Sequence, residues 1–289
     1  SRSSRIVFQY PSVGATENIL MAATLLPGET IIINAALEPE VFDLIKVLKK
    51  MGASIETEAP ATIKISGVNR LKPMKHDIIP DRLEAGALLL AAAITKGSIQ
   101  ITNAQPENMD TFLTKLQEMG HAVVSSPGKP GISLIAHPEP VAVSFKTGPY
   151  PCFPTDLQAP MMAAQTVARG SCTIEETVFE NRLMHVRELQ KMGAHITVEN
   201  QTASIKGAEA LYGADVIASD IRASCSLVLA GLTAQGTTTM TGLHQWQRAY
   251  DGLEIKLQKL GADIWIQQDS ENICSELMHN QHIISQKLK

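Results

Sequence analysis

The apolar and polar positions of this chain recur in register with themselves. Four segments, VLKKMGASI (47–55), KLQEMGHAV (115–123), ELQKMGAHI (188–196) and KLQKLGADI (256–264), are near-copies, and their glycines Gly52, Gly120, Gly193 and Gly261 lie 68, 73 and 68 residues apart. Such spacing defines a structural repeat of about 70 residues. In each copy apolar residues at helical spacing run into a Met/Leu-Gly stop and then a β-prone stretch. That pattern predicts a helix-to-strand junction, with glycine supplying the left-handed conformation that ends the helix. A second echo, LLPGETIIINA, ITKGSIQITNA, VARGSCTIEET and TAQGTTTMTGL, predicts another helix end followed by a strand. Polar turns open the first helix of each copy: PSVGATEN, PDRLEAG, PTDLQAP and SDIRASC.

The predicted repeat is therefore strand, helix, strand, helix, strand, strand: an α/β fold built from four βαβαββ copies. The final strand is visible in ATIKISG, GISLIA and TASIKGA, whereas the fourth copy shows no counterpart, and residues 267–289 read as a polar tail or a short closing helix. The first helices (NILMAATLL, AGALLLAAAI, APMMAAQTVA, SCSLVLAGLTA) are apolar all round, which predicts burial on most sides. The second helices carry a charged face. One inner helix, one outer helix and outward-facing sheets follow for each copy.

Composition narrows the functional classes. The 289 residues are 44% hydrophobic and 19% charged, with net charge −4. The absence of a basic run interleaved with aromatics argues against nucleic-acid binding as the main role. Cys152, Cys172, Cys225 and Cys274 form no CxxC and are too widely spaced for a zinc knuckle, so they read as reduced thiols of a cytoplasmic protein. No apolar run reaches the roughly 18 residues of a membrane span, and no secretory signal precedes the first motif. The chain opens Ser-Arg-Ser-Ser-Arg without an initiator Met, as a cut end would. No P-loop, dinucleotide fingerprint or HExxH occurs, so no cofactor or metal is implied.

Candidate chemistry clusters where the first helices begin, because free N–H groups and the helix dipole there favour anions. These positions are Ser12, Val13 and Gly14; Asp81, Arg82 and Glu84; Thr155, Asp156 and Gln158; Asp220 and Arg222. Ser, Thr and Asp at such places also serve simply as caps. Arg82 and Arg222 oppose the dipole in a first turn, which points to a carboxylate, a neighbouring repeat or a phosphate as partner. The loops before the second helices contribute Glu180, Asn181 and Arg182, and Gln247 and Arg248, as ligand contacts or as salt-bridged spacers. Pro149, Pro151 and Pro154 stiffen the approach to Asp156, which suits either a catalytic carboxylate or a cap. His185, three residues after Arg182, reads as structural, the eleven methionines as core filler, and Cys152, with no base near it in sequence, is not assigned as a nucleophile.

These phrases carry a resemblance. PSVGATEN, NAALEPEVFDL, IPDRLEAG, NAQPEN, FPTDLQA, ETVFENRLMHVRELQKMGAH and DIRASCSLVLAGL, spread over residues 6–266, resemble the UDP-N-acetylglucosamine 1-carboxyvinyltransferase family of bacterial enolpyruvyl transferases. The resemblance implies two inside-out α/β barrels of three repeats each. Residues 1–74 would be the last repeat of the first, 75–266 the whole of the second and 267–289 a tail, with two repeats and a short N-terminal strand segment of the family not represented. It implies transfer of enolpyruvyl from phosphoenolpyruvate to the 3-hydroxyl of UDP-N-acetylglucosamine, the first committed step of peptidoglycan synthesis. Ser12, Val13 and Gly14 would hold the diphosphate, Asp156 would be the base at the sugar hydroxyl, and Val178 would make a backbone contact to the nucleotide sugar. Arg248 would grip phosphoenolpyruvate, with Arg222, Arg182 and Glu180 in support. The family's acid comes from a loop that this sequence does not contain, so the chain alone is expected to turn over poorly. Gln247 and Ala249 stand where the family has Asp and Gly, Pro160 where it has Gln, and Gln9-Tyr10 replaces an acidic-first pair. Those departures keep two other readings open: a non-catalytic nucleotide-sugar-binding relative, or an enolpyruvyl transferase with another acceptor.

Overall fold

The helix-stopping glycines fold as their pattern predicts. Gly52, Gly120, Gly193 and Gly261 have φ of 101°, 98°, 92° and 101°, a conformation open to glycine without a Cβ penalty, and each separates a helix from a strand. The computed structural model describes residues 3–125, 128–268 and 281–286. By its contacts the chain divides into an N-terminal unit (1–80 with 149–151) and a C-terminal unit (81–148 with 152–289).

The N-terminal unit holds the first repeat in the predicted order: β1 (Ser3–Val7), α1 (Val13–Ala23), β2 (Glu29–Ile33), α2 (Pro39–Lys50), β3 (Ser54–Glu58) and β4 (Thr62–Ser66). Its sheet runs β1-β2-β4-β3. β1 and β2 are parallel, as strands joined through a helix can be, and the remaining pairs are antiparallel. Register places Ile32 opposite Ile63 and Thr30 opposite Ile65, and these side chains bury one face of the sheet against Leu20, Val41, Ile45 and Leu48. After β4 the chain stays tied to this unit. Lys72 N–H donates to the Met51 carbonyl at 2.8 Å. His76 sits between Asp43, 2.8 Å from its Nε2, and Lys50, 3.3 Å from its Nδ1.

The C-terminal unit repeats the plan three times. The second repeat has α3 (Arg82–Ile94), β5 (Ser98–Ile101), α4 (Asp110–Glu118), β6 (Ala122–Ser125) and β7 (Ile132–Ile135) in the sheet β5-β7-β6. Among the described residues it lacks a strand before its first helix, so the outer edge of β5 carries no strand partner. The third repeat has β8 (Phe145–Lys146), a 3₁₀ turn (Thr155–Leu157), α5 (Gln158–Gln165), β9 (Ser171–Glu175), α6 (Val186–Lys191), β10 (His195–Glu199) and β11 (Thr202–Lys206), ordered β8-β9-β11-β10. The fourth has β12 (Asp215–Ile217), α7 (Ile221–Thr233), β13 (Thr237–Thr241), α8 (Leu243–Ala249), α9 (Leu253–Lys259), β14 (Asp263–Gln268) and β15 (Gln281–Gln286), ordered β12-β13-β15-β14.

Three expectations need correcting. Part of the stretch read as a tail or closing helix is strand: β14 runs to Gln268, and β15 pairs antiparallel with both β13 and β14. β15 thus supplies the final strand that the fourth repeat was missing; residues 269–280 and 287–289, Cys274 among them, lie outside the described residues. Gln247 and Arg248 are not in a loop but on α8: Gly242 (φ 85°) opens that helix and Gly252 (φ 61°) separates it from α9, so the second helix of that repeat is split in two. Finally, apolar first helices are buried only in the C-terminal unit. There α3, α5 and α7 pack on one another, with every residue of α5 and ten consecutive residues of α7 buried. In α1 only Thr16, Leu20 and Ala23 are buried, since no sister helix shares its unit.

No helix among the described residues is long and apolar enough to cross a membrane. Cys152 is an exposed free thiol, and Cys172 and Cys225 are buried free thiols that burial pushes up to about 11 and about 12.

Candidate active site

The helix openings divide by what their polar side chains do. Ser12 caps α1, accepting the Ala15 N–H at 3.3 Å. Asp81 caps α3 through Leu83 N–H (2.7 Å) and Glu84 N–H (3.2 Å), and Asp220 caps α7 through Arg222 N–H (2.9 Å) and Ala223 N–H (3.2 Å). Asp156 makes no cap bond, either to its 3₁₀ turn or to α5. Two arginines take its carboxylate instead: Arg222 Nε donates to Oδ1 at 2.8 Å and Arg182 Nη1 donates to the same oxygen at 3.1 Å. Neither bond reaches Oδ2, and the Asp156 side chain keeps 39% of its exposure. A carboxylate anchored by one oxygen and open at the other is oriented for a ligand or a proton.

Each arginine is placed by its own repeat. Arg222 stands in the first turn of α7, where its backbone N–H is held by Asp220. Burial pushes the Asp220 carboxyl up, but the Ala223 and Arg222 N–H groups, the Ser219 hydroxyl and the Arg222 charge hold it below its ordinary value. Arg182 is nearly buried and follows β9. Its Nη1 also donates to Thr155 Oγ1 at 2.8 Å, and its guanidinium lies 3.8 Å over the Phe179 ring. Burial and the neighbouring Arg222 charge lower the Arg182 pKa, while Asp156 and Glu176 offset them. His185, wholly buried beneath this cluster, is pushed down to about 4 by burial, only partly offset by Asp220. It is neutral at physiological pH, the structural role expected for it.

The structure thus brings together Asp156, Arg182 and Arg222. Glu180 is exposed on the same turn without joining the cluster. Val178 has its N–H fixed by Glu176 Oε1 at 2.9 Å. Arg248 is exposed at the end of α8 and donates to Gln245 Oε1 at 3.3 Å, so it is not drawn to Asp156. Gln247 beside it is exposed, whereas Trp246 is buried and donates to Glu254 at 2.8 Å. Ser12, Val13 and Gly14 belong to the N-terminal unit; a Cβ built on Gly14 meets open space, so its backbone is approachable. Pro160 falls in the first turn of α5, where backbone N–H groups have no intrahelical acceptor and proline is tolerated.

Sequence reading missed Glu176, which is 1% exposed. The signal was present. In SCTIEE the alternation that buries Cys172 and Ile174 also carries residue 176 to the inner face, and a buried acid demands partners.

A four-repeat βαβαββ chain with this arginine-bound carboxylate has the fold of an enolpyruvyl transferase. The crystal structure of the enolpyruvyl transferase NikO from Streptomyces tendae superimposes with a TM-score of 0.82 at 27% identity, covering 90% of this chain and 64% of that one. The family model described as EPSP synthase (3-phosphoshikimate 1-carboxyvinyltransferase) matches residues 1–257, and the chain belongs to that family. Among curated relatives, UDP-N-acetylglucosamine 1-carboxyvinyltransferase of Geobacter metallireducens is 48% identical over 91% of this chain and 63% of its own length. Proteins of the same name from Finegoldia magna and Gloeobacter violaceus are 47% and 49% identical, over 61% and 57% of their lengths. The chain therefore spans about three-fifths of the curated relatives it matches.

Proposed function

We propose that this chain carries part of the machinery that transfers enolpyruvyl from phosphoenolpyruvate to the 3-hydroxyl of UDP-N-acetylglucosamine, in the cytoplasm and in the service of cell-wall synthesis. The observation that carries the reading is Asp156: where Ser12, Asp81 and Asp220 cap the first helices of their repeats, its Oδ1 takes two arginines, Arg182 and Arg222. The likeness to relatives bearing that activity in their names supports the choice of acceptor.

On this reading Arg182 and Arg222 hold Oδ1 while Oδ2 receives the proton of the sugar 3-hydroxyl. The freed oxygen bonds to carbon 2 of phosphoenolpyruvate as the methylene takes a proton. Loss of that proton with departure of phosphate restores the double bond. Charge on phosphoenolpyruvate is assigned to Arg248 with support from Arg222, and the diphosphate of the nucleotide sugar to the backbone of Ser12, Val13 and Gly14 at the start of α1. The acid that protonates the methylene is assigned to the part of the relatives that this chain does not span, so the chain alone should bind better than it turns over. Residues 1–74 then correspond to the last repeat of a three-repeat domain, and the three repeats of the C-terminal unit, β15 included, to a second such domain.

Titration calorimetry of this chain tests the reading, with UDP-N-acetylglucosamine, another UDP-sugar and phosphoenolpyruvate as separate titrants. Saturable binding of UDP-N-acetylglucosamine, weakened about tenfold or more in Asp156→Ala, is expected, since a lost charge-assisted contact has that size. Tighter binding of the other UDP-sugar would transfer the activity to another acceptor. No nucleotide-sugar binding, or binding indifferent to Asp156, would refute the assignment.

A further inference from the structure

The cluster around Asp156 contains a second carboxylate that touches neither Asp156 nor the arginines. Glu176 uses both oxygens. Oε1 accepts the N–H groups of Val178 and Phe179 at 2.9 and 3.1 Å, and Oε2 accepts the Thr155 hydroxyl at 2.8 Å. A threonine hydroxyl has one proton. Because that proton is committed to Glu176, the lone pairs of Thr155 Oγ1 are left for Arg182 Nη1, which donates to it at 2.8 Å. The bonds run one way: Arg182 to Thr155 to Glu176. The backbone bond to Phe179 meanwhile fixes the residue whose ring lies under the same guanidinium.

We infer that Glu176, acting through Thr155, is a positioning residue: it sets the orientation of Arg182 on Asp156 and the backbone at Val178 together. Its charge also balances the site, where two guanidinium groups converge on a single carboxylate oxygen. A neutral glutamine there reverses the logic. If its carbonyl keeps the two N–H groups, its amide must donate to Thr155, whose oxygen then accepts from both the amide and Arg182 while its own proton loses the acceptor that Glu176 provided. The inference rests on the proposed function only where it concerns the nucleotide sugar; the orientation of Arg182 is a property of the ligand-free chain.

The test compares Thr155→Val, which removes the hydroxyl and keeps the shape, Thr155→Ser, which keeps the hydroxyl, and Glu176→Gln. In the ligand-free protein the Arg182 guanidinium should show slow rotation and resolved Nη resonances by NMR in the wild type and Thr155→Ser. In Thr155→Val and Glu176→Gln these should collapse to averaged signals, with wild-type melting behaviour retained at least in Thr155→Val. Nucleotide-sugar affinity should fall about tenfold in Thr155→Val and hardly at all in Thr155→Ser. The Thr155→Val, Glu176→Gln double variant should lose no more than the worse single variant, as members of one network do. A wild-type Arg182 spectrum in Thr155→Val overturns the relay, as do additive losses in the double variant. If the wild-type chain binds no nucleotide sugar, the functional reading fails, and the Arg182 resonances still decide the relay.

Discussion

Helices α1 and α7 are close to the same sequence idea, apolar nearly all round, yet they live in different surroundings. In the C-terminal unit α7 is flanked by α3 and α5, and Ala223 to Leu232 are all buried. In the N-terminal unit α1 leaves Met21, Leu25 and Leu26 about half exposed (48–56%) at its end. The comparison teaches that helix periodicity in this fold does not mark burial by itself. A first helix without polar faces is written for a three-fold packing, and only the unit with three repeats provides it. Stability should follow, with the N-terminal unit opening more readily in amide exchange.

The sharpest way to break this comparison is to truncate one side chain in each helix. Leu229→Ala, at a site 2% exposed in α7, should cost about 2–5 kcal/mol in urea unfolding. Met21→Ala, 48% exposed in α1, should cost about 0.5 kcal/mol or less. Similar losses would mean that α1 is as well packed as α7.

Acid should act on the C-terminal unit next most strongly. Burial pushes His185 and His121 down to about 4, His121 with help from the neighbouring His137. An imidazole whose folded pKa lies below its unfolded value, about 6.5, contributes stability that is full above 6.5 and is lost as pH falls toward 4. Exchange protection in α5 and α7 should therefore drop across that window, and His121→Gln with His185→Gln should flatten the drop. An unchanged slope in the double variant would remove these histidines as the cause.

The smallest expected effect has the opposite sign. Gln158, wholly buried at the start of α5, has neither its amide nitrogen nor its oxygen hydrogen-bonded. Gln158→Leu should raise the stability of the C-terminal unit by about 1 kcal/mol, because it removes an unmet desolvation cost. Destabilisation in urea would show that the amide is satisfied in solution.

Much of the fold was written in local signals. The Met/Leu-Gly stops define repeat length because only glycine sits comfortably at φ near 100° after a helix. Short-range chemistry also gave the Ser12, Asp81 and Asp220 caps. What failed was non-local. Nothing near Asp156 indicates that Arg222, 66 residues away, would share its Oδ1 with Arg182; that meeting exists only once repeats three and four pack. β15 was missed because its short apolar centre, Ile283-Ile284, is embedded in a polar run, and its place in the sheet is set by β13, some forty residues earlier, as well as by β14. Position 248 was misread as loop because a split helix has two short apolar stripes rather than one. Glu176 was hidden by its charge, although the strand period had already turned it inward.

The bare edge of β5 bears on solubility. β1, β8 and β12 each pair with the outer side of the strand that follows their helix, whereas the N–H and C=O groups of Ser98–Ile101 on the side away from β7 have no strand partner among the described residues. On the neighbouring strand β7, Ile135, the register partner of Ser98, is 63% exposed. An open edge next to an exposed apolar side chain is a template on which extended segments of other chains can add. Concentration is therefore a variable in handling this protein, and a lysine or proline placed on that short strand is where colloidal behaviour can be altered without touching the Asp156 cluster.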